Sequence, residues 1–132
     1  MYTTYPDAHN SIVGNVIQSS RCAFGIVADY GGRTSITGNT LEILNESTTG
    51  ISLSPGVDRC SVTGNTISVL GNTGAGIHCA GAFNVISNNT LECATTVAIL
   101  LPGNNNVVGF NVSGAVTPVS DLGTSNEVAH NI

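Results

Sequence analysis

The side chains able to do chemistry are few. Eight carboxylates (Asp7, Asp29, Glu42, Glu46, Asp58, Glu92, Asp121 and Glu127) share 132 residues with three histidines, three arginines and four cysteines, and lysine is absent. Two well-spaced carboxylates could hydrolyse a glycosidic bond, one as acid and one as base or nucleophile. A base beside Ca²⁺ held by clustered Asp and Glu could instead eliminate across an acidic sugar. The cysteines, Cys22, Cys60, Cys79 and Cys93, have spacings that match no zinc or CxxC pattern, so buried free thiols are expected. A Cys60–Cys79 bridge is the alternative. His78 stands alone in sequence and reads as a surface residue, with weak ligand-binding potential. Tyr30 is the aromatic placed to meet a ligand on an exposed corner.

Composition narrows the classes. Charged residues make up 8% of the chain, and the net charge is −5. Nucleic acid and anionic membranes both select for basic patches, so neither is an expected partner. The longest apolar run, Val97 to Leu101, is far shorter than the roughly 20 residues that span a bilayer. The opening Met-Tyr-Thr-Thr-Tyr-Pro-Asp lacks the basic and apolar regions of a signal peptide.

The elements that must position these side chains form a repeat. Val62-Thr63-Gly64-Asn65-Thr66-Ile67 places asparagine between two apolar positions, and the figure recurs at Ile12–Ile17, Ile36–Leu41 and Ile86–Leu91. The asparagines stand at 15, 39, 65, 89, 111 and 131, in steps of 24, 26, 24, 22 and 20 residues. Each unit predicts three short strands joined by turns, with inward positions alternating. Aligned units give apolar columns: Ile12, Ile36, Val62, Ile86, Val108 and Val128; Ile17, Leu41, Ile67 and Leu91; Ile26, Ile51, Ile77 and Ile99, with Ala28, Leu53, Cys79 and Leu101 beside the last. One unit cannot bury such a face, whereas a stack makes a continuous core. Asn15, Asn39, Asn65, Asn89, Asn111 and Asn131 are expected to supply positive φ at a corner and to bond between coils. A less regular polar column, Asn10, Thr34, Cys60, Asn84, Asn106 and Asn126, lies five residues earlier. The fifth unit is degenerate, with Phe110 before Asn111 and Ser113 in the apolar column.

Asparagine at the turn between apolar strands, on a coil of 20 to 26 residues, resembles the right-handed parallel β-helix of pectate lyases, polygalacturonases and phage tailspikes. The resemblance runs from about His9 to Ile132. It implies an all-β, single-stranded parallel solenoid of about five coils, three strands per coil, with an Asn ladder at one turn. It also implies one domain over residues 1–132, a fragment of or module within a longer extracellular or virion-surface protein. A homotrimer or a continuing solenoid would cover its ends, and a polysaccharide or cell-surface glycan would be its partner. No cofactor or metal is implied.

Within that frame Glu42 and Glu92 share an outward position two coils apart, with Ser68 between. At about 4.8 Å per coil their backbones would be roughly 10 Å apart, near the upper end for an inverting pair. They are the weak catalytic candidates of a lyase or hydrolase reading. Asp29 and Asp58 lie beside Arg33 and Arg59 and read as local ion pairs. The NTD, DD and GHG signatures of polygalacturonases are missing. Three sequons, at Asn45, Asn88 and Asn111, are weak signals, since Asn111 is a ladder position. Outward threonines, Thr37 with Thr63 and Thr40 with Thr66 and Thr90, suggest a third reading, an ice-binding face.

Overall fold

The computed structural model describes residues 2–3, 9–45, 48–71, 74–94 and 97–132. Among them every regular element is a strand, and all strand pairs are parallel. The chain coils as a solenoid of about five turns with three sheets. The first sheet stacks Ser11–Val13, Ser35–Thr37, Ser61–Thr63, Val85–Ser87, Val107–Gly109 and Glu127–Ala129. The second stacks Val16–Ser19, Thr40–Ile43, Thr66–Val69, Thr90–Cys93 and Val112–Ser113. The third stacks Tyr2–Thr3, Phe24–Ala28, Thr49–Leu53, Ile77–Cys79, Val97–Leu101 and Thr117–Asp121. Tyr2–Thr3 pairs with Val27 and Ala28, so the stack begins one strand before the His9 start expected from the repeat.

The predicted columns are the observed register. Ile36 pairs with Ile12 and Val62, Ile67 with Leu41 and Leu91, and Ile77 with Ile51 and Ile99. These side chains form the core, and Ile36, Ile51, Val62, Ile67, Ile77, Ile86 and Ile99 are wholly shielded from water. Leu91 pairs with Ser113, where the apolar column stops, and the Ser113 hydroxyl is buried without a partner.

The Asn ladder is continuous from Asn15 to Asn131. From Asn39 onward each carboxamide oxygen accepts two N–H groups from the preceding coil, one backbone and one side-chain. Asn65 Oδ1 takes Asn39 N and Asn39 Nδ2, each at 3.0 Å. Asn65 in turn donates to Asn89 Oδ1, from its backbone at 3.0 Å and from Nδ2 at 2.9 Å. The same Nδ2 reaches Ile36 O at 2.9 Å. Each rung thereby ties the corner of one coil to its neighbours while satisfying polar groups that have lost their water.

The left-handed residue is not the ladder asparagine, as expected, but the one before it: Gly14, Gly38, Gly64, Asn88, Phe110 and His130, with φ between 54° and 66°. The asparagine leaves that conformation to its neighbour, and its side chain can turn inward. The less regular polar column proves to be a second ladder at the other end of the first sheet's strands. Backbone N–H groups of Cys60, Asn84 and Asn106 each donate to the carboxamide oxygen of the next coil at 2.8 Å. At its thin end Thr34 N donates to Cys60 Sγ at 3.3 Å, sulfur standing in for oxygen. A left-handed residue again precedes the column: Arg33, Arg59, Phe83, Asn105 and Ser125.

A glycine column lets the second and third sheets approach. A Cβ added at Gly50 would lie 2.5 Å from Ile67 Cγ2 and 2.6 Å from Gly76 O. At Gly76 it would lie 2.4 Å from Leu91 Cδ2, and at Gly25 it would lie 2.7 Å from Leu41 Cδ2. Missing side chains in the third sheet make room for branched side chains from the second.

Candidate functional site

A parallel coil with a filled interior can meet a ligand only through its outward positions and turns. The second sheet presents Gln18, Glu42, Ser68 and Glu92 as one outward row. Glu42 and Glu92 are therefore brought into one column with Ser68 between them. Both are exposed, and Gln18 Nε2 donates to Glu42 Oε2 at 2.6 Å. Thr40, Thr66 and Thr90 form the adjacent exposed row.

The third sheet's outward row is Val27, Ser52, His78 and Leu100. It is drier than the sequence suggests. Val27 and Ser52 are buried, and His78 is half-buried rather than a surface residue. That burial pushes the imidazole pKa below its ordinary value, because the charged form loses hydration.

The first sheet has an outward floor of small hydroxylated side chains. Ser35 Oγ and Thr37 Oγ1 are 3.0 Å apart, and Thr37 Oγ1 lies 3.3 Å from Thr63 Oγ1. Left-handed residues line both of its ends. On the Asn65 side the three described coils before Asn88 use glycine, the residue that adopts this conformation without a Cβ penalty. On the Asn84 side the coils of Gly38, Gly64 and Asn88 place Arg33, Arg59 and Phe83, each exposed. For such residues the left-handed region costs about 1–2 kcal/mol. Their backbone N–H groups bond to Asp58 O, Ala82 O and Asn104 O of the following coils, so the three occupy equivalent places.

Asp58 and Arg33 have partners other than those of the expected local pairs, Asp58 with Arg59 and Asp29 with Arg33. Ala82 N donates to Asp58 Oδ1 at 2.9 Å, and Arg33 lies 3.3 Å from the His9 ring nitrogen, which accepts. Tyr30, 61% exposed, sits in the same turn as Arg33. Phe110 stacks on His130 at the opposite end of the first sheet, with ring centroids 5.1 Å apart.

The cysteines are free thiols, and Cys60, Cys79 and Cys93 are buried. Burial raises the Cys60 pKa and pushes that of Cys79 up to about 11, which leaves both inert as nucleophiles. Among the described residues no group of three or more His, Cys, Asp or Glu is arranged to hold a metal ion. Asp7 and Glu46, and with Glu46 most of the Asn45 sequon, lie outside the described residues. Asn88 of the second sequon is exposed, whereas Asn111 of the third is buried in the ladder.

No protein-family model matches this chain, and no match is found among curated proteins or among solved structures.

The Arg33–Arg59–Phe83 column was missed in the sequence because its residue types vary. Its place immediately before the second polar column was the available signal.

Proposed function

We propose that this chain is a β-helical segment of an extracellular or virion-surface protein that engages carbohydrate, similar to the shafts of phage tailspikes and tail fibres. It would serve as a stiff shaft or as the glycan-contacting surface itself. The observation that carries this reading is the pair of ladders bracketing the first sheet, which hold its hydroxylated outward floor in register. An ordered hydroxyl face suits a ligand made of repeating hydroxylated rings, and a rigid support lowers the entropy lost on binding.

The test is a polysaccharide and glycan binding panel, with sedimentation velocity on the same preparation. Glycan binding without turnover, on a homotrimer, is the expected outcome. Absence of any glycan binding would sink the proposal. A lyase or hydrolase is the second reading, favoured by the shared Glu42–Ser68–Glu92 column. It requires depolymerisation that disappears in both Glu42→Gln and Glu92→Gln.

A further inference from the structure

We infer that the corner bearing Arg33, Arg59 and Phe83 is a binding site for an acidic glycan, lying along the solenoid axis beside the first sheet. The inference rests on the carbohydrate reading above and adds the place, the charge class and the residues.

Four observations converge. First, two of the chain's three cations stand on consecutive coils in a protein of net charge −5. Their backbones are about 4.8 Å apart. Second, Phe83 continues the same column on the next coil and is 54% exposed. Third, all three hold left-handed backbone, with φ of 61°, 58° and 58°, where glycine or asparagine would fold more easily. At the opposite corner the same coils meet this requirement with Gly38, Gly64 and Asn88. Arginine and phenylalanine are not the residues this backbone prefers. Fourth, the strand that follows each arginine carries the hydroxyl floor, Ser35 and Thr37 after Arg33, Ser61 and Thr63 after Arg59.

The chemistry fits one ligand class. Guanidinium groups bind carboxylate or sulfate with paired N–H donors. An exposed phenyl face takes the apolar side of a sugar ring, as aromatic side chains do with flat partners. Hydroxyls of Ser35, Thr37, Ser61 and Thr63, with the Asp29 carboxylate in the same turn as Arg33, can exchange hydrogen bonds with sugar hydroxyls. His9 props the Arg33 guanidinium. A nucleic acid would need many more cations against this net charge.

The test replaces each arginine by asparagine, which tolerates left-handed backbone, so that folding is preserved. Binding of heparin, alginate, dextran and poly-glutamate to wild type and to the Arg33→Asn/Arg59→Asn double variant is measured by calorimetry at low and physiological salt. Alginate or heparin should bind the wild type, weaken with salt, and lose at least tenfold in the double variant, whose melting temperature is unchanged or raised. Phe83→Asn should weaken the same ligand. Glycan binding that persists undiminished in the double variant would overturn the site and leave the carbohydrate reading intact. Equal affinity for dextran, or for poly-glutamate, would overturn the assignment to an acidic glycan. Binding to none of the glycans would overturn both proposals.

Discussion

Asn65 Nδ2 holds Ile36 O, Thr63 O and Asn89 Oδ1, while its Oδ1 takes two N–H groups of Asn39. Asn65→Ala would take the acceptor of Asn39 N and a donor from Ile36 O, while Asn89 Oδ1 keeps Asn65 N, Thr63 O keeps Gly38 N and Asn39 Nδ2 keeps Ile12 O, at a cost of about 1–3 kcal/mol for each group left without a partner. Asn15, half-buried at the end of the ladder, can recruit water, so Asn15→Ala should cost less than half as much. Urea titration of the two variants checks the ratio. The thiol of Cys79 makes a separate prediction. Burial raises its pKa from 9.0 to about 11, so the folded state keeps a proton that the unfolded chain releases. This contribution to stability is whole below pH 9 and is lost as pH rises through about 11. Urea midpoints measured from pH 8 to pH 11 should fall, and should fall less in Cys79→Ala. These residues were legible to different degrees. The ladder asparagines announce themselves by type and period, and the inward cysteines by alternation. The second ladder was half-hidden because Thr34 and Cys60 interrupt its asparagines, and only the bond from Thr34 N to Cys60 Sγ shows the run continuing.

Elements pack here by leaving out side chains as much as by filling space. Gly25, Gly50 and Gly76 run up the inner face of the third sheet against Leu41, Ile67 and Leu91. Gly50→Ala would place a methyl group 2.5 Å from Ile67 Cγ2 and 2.6 Å from a backbone oxygen. The side chain can shift but the backbone cannot, so the substitution should cost about 1–3 kcal/mol. An Ala at Gly14 meets nothing within 4 Å and carries only the left-handed strain. Thermal melts of the two alanine variants separate overpacking from strain. Sequence alternation cannot reveal this column, since glycine is common at turns and at close approaches alike. The same holds for His78. Its outward place was evident from the period, but the burial of its neighbours Val27 and Ser52 depends on what covers the sheet.

At the scale of the molecule, each coil touches its neighbours and little else, so stability should grow by nearest-neighbour interfaces. Ile67 has coils on both sides and is fully buried, whereas Ile17 is partly buried at the edge of its column. Ile67→Ala should therefore cost about 2–5 kcal/mol, and Ile17→Ala less than half of that, by chemical denaturation. The period, the three apolar columns and the parallel stack were determined by the sequence itself, because residue type at a repeated position reports burial directly. The Val62–Ile67 figure and its three copies place four coils, and the Asn spacing alone places the degenerate fifth. The tertiary structure decided what no residue type announces: which backbone positions turn left-handed, and which side chains those turns line up. A conformation with φ near 58° is imposed on Arg59 and Phe83 by the hydrogen bonds of adjoining coils, not by their own preference. Arginine and phenylalanine, far apart in the chain, thereby become neighbours on one corner of the solenoid.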